Sequence, residues 1–470
     1  MELPPGGQGV ESGHAGVLPC MSADSPHRAG LVVAGIVVDE ILPGEDVPPA
    51  SSSYPGSGWV ATTFDALRIR SYRVLWIGTV LSFVAFMMSM TAQSLVAFDL
   101  SGNNGAVGWV MFGQGIAMLA LTPFGGAIAD RVSKRFLLLI CQGVIGLSML
   151  VLGILIATDA ITVFFLAAGA FVTGTMFSFL GPARTAYIGE IVDEERRGNA
   201  LALTQVGMNA TRICGPFLAG GLVAWSLVGS AGTYFITSAI FVFVIATLAQ
   251  LPPTTGNRRH SSMLQDIRLG LGHVRQNQRL LQIVLGFIAV TLLGFPYMVV
   301  LPAFTQDVLG TSKAGFGIMG GVSAMGGLVA SLLVAGLADS KRAPVLQLLA
   351  SLLLGVALIL TGLAPSFALA LLAMVLVGAG GSAFQTLNNS LALKEADPEY
   401  FGRVMSLMMM AWSFNGLISL PIGFLADSVG ERAVLVSMGV GVCAIFALLA
   451  IWRMRLPEPE HRERVTIERA

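Results

Sequence analysis

The chain has 470 residues and no net charge. Hydrophobic residues make up 54% of it and charged residues 11%, whereas a typical soluble domain is about 25% charged. Soluble cores stop growing at about 250–300 residues, so lipid must cover part of this apolar surface. Zero net charge provides no overall field that would attract nucleic acid, and we expect no such partner.

The first 62 residues are rich in Gly, Pro and Ser, which is typical of a disordered tail. The apolar run at 31–38 is too short to cross a bilayer and is followed by Asp39 and Glu40. No basic segment opens the chain, which argues against a cleaved signal peptide. We predict that the tail contributes no transmembrane helix.

After Arg73 the sequence changes to apolar runs near the ~20 residues that cross a bilayer. The joins between the runs are short, except for the one between the sixth and the seventh. The pattern predicts twelve transmembrane helices, at about 74–98, 106–129, 136–157, 161–181, 200–225, 229–250, 281–303, 315–338, 343–363, 366–387, 402–425 and 432–452.

Charge sets the orientation of these spans. With the tail in the cytoplasm, all but three of the 27 Lys and Arg residues lie on the cytoplasmic side. Lys313 and Arg432 fall outside, and Arg212 lies within a span. This bias follows the positive-inside rule. We therefore predict a multi-pass protein of the cell membrane (a bacterial inner or plasma membrane) with both termini in the cytoplasm.

The long join at 251–280 has apolar residues at helical spacing, namely Leu264, Ile267, Leu271 and Val274, among several arginines. This pattern predicts a surface helix whose apolar face lies on lipid or on the helix bundle. A regulatory binding site is the alternative.

The two halves of the chain resemble each other. The join after the second span reads GGAIADRVSKR and ends at Arg135, and the join after the eighth reads AGLADSKR and ends at Arg342. Pro216 and Pro421 lie at matching depths in the fifth and eleventh spans. A repeat of six spans plus six is typical of secondary transporters, with a substrate site near the midplane between the halves.

At GGAIADRVSKR the sequence resembles the major facilitator superfamily, whose loop after the second helix has a G-x-L-A-D-R-x-G-R-K-like motif. Ser133 replaces the usual glycine and Ile128 the usual leucine. The segments FDLSG, GPAR, ATRICGPFLAGG and LPAFTQDVLG are similar to the drug and siderophore exporter branch, which includes enterobactin exporters and macrolide efflux proteins. The similarity covers about residues 65–456.

The resemblance implies that the loop after the second span holds one of the transporter's two closed states. The predicted gating residues are Gly126, Asp130, Arg131, Lys134 and Arg135, with Asp339 in the second half. A carboxylate such as Asp130 next to the start of a helix stabilises it by about 0.3–1 kcal/mol. The basic residues are expected to pair with acidic groups such as Glu190 or Asp193. A basic loop that only sets topology is the alternative.

Two further features of the spans are candidates for function. Gly215, Pro216 and Gly220 resemble the antiporter motif of export members, although packing and kinking explain them equally well. Arg212 costs about 2.5–3.5 kcal/mol on insertion scales, so it faces a cavity or snorkels to the interface. With Asp99 at an outer helix end and Arg184 in GPAR, it completes the candidates for transport coupling. No Asp or Glu lies deep in a span, so proton coupling is implied by the resemblance alone.

In this family, the first, fourth, seventh and tenth spans line the substrate cavity. Flexible Met side chains, aromatic rings and amides suit a bulky, amphipathic, largely uncharged molecule. Ordinary helix packing is the alternative for each residue. The candidates are Met87, Met88, Met90, Gln93, Met176, Phe177, Phe287, Tyr297, Phe384, Gln385, Asn388 and Asn389.

Motifs of enzymes and ATP-driven pumps are missing from the sequence. It contains no Gly-Lys pair, no HExxH and no GxSxG, and all five His residues lie outside the predicted spans. The four cysteines form no CxxC pair, which argues against zinc. We expect no enzymatic activity, no cofactor and no metal.

The sequence therefore predicts an all-α membrane protein with twelve transmembrane helices in two pseudo-symmetric six-helix bundles. Its predicted parts are a tail (1–62), an N-terminal bundle (63–250), a cytoplasmic linker with an amphipathic helix (251–280), a C-terminal bundle (281–455) and a cytoplasmic tail (456–470). The predicted function is alternating-access efflux of a small amphipathic drug, antibiotic or siderophore-like metabolite by a monomer, with proton antiport implied by the family. The alternatives are uptake by the same fold and a non-transporting receptor or scaffold.

Overall fold

A computed structural model of the chain describes residues 32–33, 36–37, 64–253, 263–338 and 340–454. Residues 32–33, 36–37, 126–127, 129–130, 263–267 and 398 are described by their backbone alone. Residues 58–470 belong to one compact unit, and the preceding residues form a second. In that second unit, strands β1 (Val32–Val33) and β2 (Ile36–Val37) pair antiparallel. They fall within the segment predicted to be a disordered tail, where β-branched residues favour strand pairing.

Helices make up nearly all of the described part of the larger unit. The six helices of the N-terminal half are α1 (Arg70–Ser101), α2 (Asn104–Arg131), α3 (Lys134–Ala157), α4 (Val163–Ile191), α5 (Glu194–Ala224) and α6 (Gly229–Leu248). After helix α7 (Met263–Gln276), the C-terminal half contains α8 (Gln278–Leu293), α9 (Tyr297–Ala303), α10 (Lys313–Ala335), α11 (Ala343–Leu363), α12 (Phe367–Glu395), α13 (Phe401–Val429) and α14 (Glu431–Met454). Helices α8 and α9 together form one span, so the described residues contain twelve helical segments that correspond to the twelve predicted spans.

Within the described ranges, eleven segments are long and apolar enough to cross a membrane by length and composition. Helix α5 is the twelfth span and does not meet that criterion. It begins with Glu194 and Glu195 and contains Arg212 further along. Contacts with α1 on one side and α10 on the other hold it in the bundle. These contacts with both halves, rather than hydropathy, identify it as a span.

The seventh span is not the continuous helix that hydropathy predicts. Helix α8 ends at Leu293, and α9 starts after Pro296, followed by a π-helical turn at Phe304–Val308. Proline has no N–H to donate and disfavours helical backbone at the residue before it, so the helix breaks at this point. The prediction was wrong only in expecting an unbroken helix, because α8 and α9 together are still long and apolar enough to form one membrane span.

The two halves use the same helix pairs. In the N-terminal half, α2 packs on α4 and α3 packs on α6; in the C-terminal half, the corresponding pairs are α10 with α12 and α11 with α14. This repetition is the pseudo-symmetry predicted from the repeated joins. Between the halves, the main contacts are those of α2 with α13 and of α5 with α10.

We call the end of the bundle that contains Ser101, Asn104, Ala224, Lys313 and Val429 the distal end. The proximal end contains Arg70, Ile191, Glu194, Glu395 and Met454. The sequence predicts that the proximal end faces the cytoplasm.

The linker helix α7 packs against the start of α13. The His273 ring stacks on Tyr400 with centroids 4.3 Å apart, and Val274 is buried. Leu271, predicted to belong to the apolar face, is 41% exposed, because the face that meets α13 is rotated towards His273. The predicted contacts of Leu264 and Ile267 lie outside the described side chains.

Topology can be tested with reporter fusions. Because the spans alternate, fusions in the linker at Gly256 and after α14 at Arg464 are expected to score cytoplasmic. Fusions at the distal joins, at Thr311 and Gly430, are expected to score external. A cytoplasmic signal at Thr311 would contradict the twelve-span arrangement, since that join fixes the side of every later one.

Candidate functional site

The two halves approach each other closely in the distal half of the bundle, and these contacts depend on glycine. A Cβ on Gly115 of α2 would lie 2.6 Å from the Cα of Gly416 on α13. A Cβ on Gly220 of α5 would lie 2.7 Å from the Cα of Gly317 on α10. Small residues allow such backbone contact between helices in a membrane. The distal end of the central space is therefore closed by backbone packing.

Polar groups reinforce this distal closure. The Asp427 carboxylate accepts hydrogen bonds from the backbone N–H groups of Asn104, at 2.6 Å, and Gly105, at 2.8 Å, at the start of α2. The Asn104 side chain also donates to Glu431 at 2.9 Å. Because the first N–H groups of a helix have no partner within it, a carboxylate there satisfies them and offsets the positive end of the helix dipole.

A second link crosses the halves near Lys313, at the start of α10. The Lys313 ammonium pairs with the carboxylate of Asp99 in the last turn of α1. Both side chains are partly exposed, so the pair contributes only ~0.2–1 kcal/mol. The structure thus places Asp99, a coupling candidate, in an ion pair between the halves.

Removing the charges of Asp99 and Asp427 is expected to open this end. The Asp99→Asn, Asp427→Asn double variant loses roughly 1–2 kcal/mol of closed-state stabilisation, which lowers the ratio of closed to open molecules about 5–30-fold. Ser419 is fully buried beside Gly108, so a cysteine placed there reports the opening. We expect an impermeant maleimide to label Ser419→Cys several-fold faster in the double variant, in a background without native cysteines.

The matched control is Asp307→Asn, which removes an exposed distal carboxylate that has no ion pair among the described residues. Its labelling rate should equal that of the parent protein. Equal rates in the double variant and the control would show that Asp99 and Asp427 do not stabilise the closed state.

At the proximal end, the loop after α2 is tied to its own half. The buried Lys134 ammonium lies 2.7 Å from the Glu190 carboxylate at the end of α4. The Arg135 guanidinium donates to the backbone carbonyl of Ala249. The contact with Glu190 agrees with the pairing expected from the sequence. Arg131 is exposed. Gly126 and Asp130 are described by their backbone alone, and Asp339 lies outside the described residues.

Arg212 lies on the polar face of α5. Gln205 and Asn209 share this face, and the Gln205 amide donates to the Asn209 carbonyl oxygen at 3.3 Å. Arg212 is exposed and has no ion pair with a carboxylate among the described residues. The residues that contact α1 and α10, such as Gly215 and Gly220, occupy other faces of the helix.

Arg184 of α4 borders an aromatic cluster that we define as Phe83, Phe86 and Phe177. Phe86 and Phe177 stack with ring centroids 3.8 Å apart, and Phe83 meets Phe177 edge-on at 5.6 Å. The Arg184 guanidinium carbon lies 5.0 Å from the centre of the Phe83 ring. The cluster therefore joins α1 to α4, two of the helices expected to line the cavity.

Several cavity candidates of the C-terminal half lie in packed helix contacts. Phe384 is fully buried edge-on against Phe446, with centroids 5.5 Å apart. Asn388 is fully buried and accepts a 2.6 Å hydrogen bond from Gln347 on α11. Phe287 is buried near Trp412. These side chains contact neighbouring helices of their own half, whereas Gln385 and Asn389 on the same helix as Phe384 are only partly buried.

The remaining candidates, those of the cavity and of the antiporter-like motif, also differ in burial and in the helices they contact. Met87 packs where α1 meets Gly215 of α5, so Gly215 of the antiporter-like motif leaves room for a methionine. Pro216 and Gly220 meet α10 across the halves. The partly buried candidates are Met87, Met90, Met176 and Phe177, and the buried ones are Met88, Gln93 and Tyr297.

Sequence reasoning did not identify the distal links or the aromatic cluster as a unit. Asp99 and Lys313 are 214 positions apart, and Asn104 and Asp427 are 323 apart, so local pattern does not connect them. A signal was available for Lys313, since it is one of the few basic residues at the distal end. Among the described residues, no group of three His, Cys, Asp or Glu side chains could hold a metal ion.

Two bundles of six membrane helices, related by pseudo-symmetry and closed against each other at one end, define a multi-pass transporter for a small molecule. The Major Facilitator Superfamily profile matches residues 75–419. The chain belongs to this superfamily and is a transporter rather than an enzyme.

Similar proteins include transporters for different cargoes. The "Staphyloferrin A transporter" of Staphylococcus aureus is 27% identical over 394 residues, covering 81% of this chain and 97% of that protein. "Multidrug resistance protein MdtH" of an Enterobacter species is 26% identical over 217 residues, covering 44% of this chain and about half (51%) of that protein.

Solved structures share the fold at low sequence identity. A bacterial homologue of the human lysosomal transporter Spinster, in an inward-facing and occupied conformation, matches with a TM-score of 0.66 at 15% identity, covering 82% of this chain and 97% of that one. A POT family transporter in complex with a thioalcohol-conjugated peptide matches with a TM-score of 0.65 at 14% identity, covering 83% and 97%.

Proposed function

We propose that this transporter exports a small amphipathic organic compound by alternating access. The main support for this proposal is that the halves make close backbone contacts in the distal half of the bundle. In such an arrangement, a cargo enters the central space from the proximal end and leaves when the distal end opens. The relatives named as a staphyloferrin A transporter and a multidrug resistance protein favour siderophore-like and drug-like cargoes.

In this proposal the loop after α2 stabilises the opposite, proximally closed state. Asp130 and Arg131 contact the other half in that state, and Asp339 does the same from the second half. Lys134 and Arg135 anchor the loop to its own half through Glu190 and Ala249. The element Gly215–Pro216–Gly220 allows α5 to move against α10, since its backbone contact with that helix has to form and break in each cycle.

Proton antiport is the coupling that we propose. Asp99 is the candidate carboxylate, because its protonation would cancel the attraction to Lys313 and so link proton binding to opening of the distal end. Arg184 and Arg212 are the candidate cations of the central space. The working unit is a monomer in the cell membrane, with both termini in the cytoplasm.

Accumulation assays test the direction of transport. Cells with the transporter are expected to accumulate less of an exported compound than cells without it, and dissipating the proton gradient should remove the difference. A panel of drugs, antibiotics and iron chelators, assayed with and without the protein, identifies the cargo class. Greater accumulation with the protein would favour uptake. Equal accumulation of every compound would favour the receptor or scaffold alternative.

A further inference from the structure

Arg184 is a buried cation with an unused hydrogen-bond donor. Only 6% of its surface is exposed, and its Nη2 has no hydrogen-bond partner. No described carboxylate pairs with it. In the described membrane-spanning helices, Asp and Glu occur only in the first or last turn, away from the interior. Among the described side chains, the guanidinium is therefore buried without a counter-charge.

The contact with Phe83 does not compensate for this burial. A cation–π contact stabilises a cation by less than the cost of placing an arginine inside a membrane helix. Burying an unpaired charge is more costly than burying a paired one. The balance implies that another group interacts with Arg184 when the site is in use.

Open space lies in front of Gly181, about one turn before Arg184 on α4. Around α4, Phe177 contacts α1, while Ser178 and Pro182 contact α2 at Gly125. Viewed along the helix axis, Gly181 lies on the part of the surface of α4 between the side that contacts α1 and the side that contacts α2. It is exposed, and no atom lies within 4 Å of the position that a Cβ on it would occupy. Because α1 and α2 lie on either side of this surface, the space in front of Gly181 is inside the bundle.

The same space has an apolar wall. Phe83 and Phe177 are only partly buried, although they belong to the aromatic cluster. Arg184 lies about two turns from Phe177 on the same face of α4, because residues seven apart recur on one side of a helix. A ligand in this space would therefore contact aromatic rings with one part and the Arg184 guanidinium with another.

We infer that this site binds organic anions: the charged group, a carboxylate or a similar oxyanion, pairs with Arg184, and the apolar part lies against the aromatic cluster. Arg presents a planar fork of donors that matches a carboxylate. The inference rests on the proposed transport function and narrows its cargo to amphipathic anions, in contrast to the largely uncharged molecule that the Met and aromatic content alone suggests.

Equilibrium dialysis of the purified full-length protein against three matched probes tests this inference. The probes are naphthalene-2-carboxylate, naphthalene-2-carboxamide and 2-naphthylmethylammonium, which differ in charge on one ring system. The parent protein is expected to bind the carboxylate at least tenfold more tightly than the other two, the effect of one hydrogen bond to a charged group. Arg184→Gln should lower the affinity for the carboxylate to that for the carboxamide and leave the carboxamide unchanged.

Two variants separate recognition from folding. Arg184→Lys keeps the charge and should retain a preference for the carboxylate, whether or not Arg184→Gln is stable. Arg342→Gln removes an exposed arginine beside α11 and should change no affinity. Equal binding of the three probes by the parent protein would overturn the inference, and so would an Arg184→Lys protein without charge preference.

The outcome is independent of transport direction, because binding is measured at equilibrium. An importer would show the same preference for the carboxylate, so failure of the export proposal leaves this result intact. Proven export without anion preference would overturn only the present inference.

Discussion

Gly220→Val is expected to reduce transport per membrane-resident molecule by about tenfold or more. A Cβ at Gly220 would lie 2.7 Å from the Cα of Gly317, so the clash is with backbone that has no rotamer to change. Overpacking of this kind costs ~1–3 kcal/mol. The cost falls on the distally closed state, in which α5 and α10 are in contact, and is relieved when the distal end opens.

The neighbouring Gly221 provides a matched control. It lies on the same helix, is exposed, and has no atom within 4 Å of the position of a Cβ. Gly221→Val carries the same propensity change without the clash, so it should transport at near the parent rate. Comparable losses in the two variants would mean that valine disturbs α5 itself rather than the contact between the halves.

Arg212→Ala is the second variant with a large expected effect. We expect transport to be abolished while the amount of protein in the membrane is maintained or rises, because removal of a charged side chain relieves an insertion cost of ~2.5–3.5 kcal/mol. No carboxylate among the described residues pairs with Arg212, so no ion pair gives this side chain a role in stabilising the fold. The measurement is the transport rate divided by the membrane-resident protein.

Arg212→Lys distinguishes charge from packing. If the charge acts in the central space, Lys retains part of the activity that Ala loses. If Arg212 only snorkels, both variants transport normally, because the apolar stem alone contributes. Reduced protein with a normal rate per molecule would instead indicate a structural role.

Much of the fold could be predicted because hydropathy and charge are read along the chain. The twelve apolar runs correspond to spans, and the repeated joins correspond to the repeated helix pairs. The break before α9 was missed because a hydropathy window does not register a missing backbone donor, although Pro296 was present as a signal. Helix α5 was predicted from the run at 200–225, although its polar residues keep it below the hydropathy of the other spans.

The site was less predictable, for a physical reason. In a membrane, lipid-facing and protein-facing surfaces are both apolar, so the hydrophobic period does not show which way Phe384 or Asn388 points. The structure places both in contacts between helices. The ion pair of Lys134 with Glu190 could be predicted, because both residues belong to the proximal end of the same half. The pair of Asp99 and Lys313 required knowledge of how the halves meet.

Reciprocal movement of the two ends is the central claim, and electron–electron distance measurements test it most directly. Spin labels on Asn103→Cys and Ser428→Cys report the distal end, and labels on Glu194→Cys and Lys341→Cys report the proximal end; all four positions are exposed. Both pairs are measured in a background without native cysteines, with and without Gly220→Val. We predict that Gly220→Val lengthens the distal distance and shortens the proximal one. Distances that stay unchanged, or that lengthen together at both ends, would contradict alternating access.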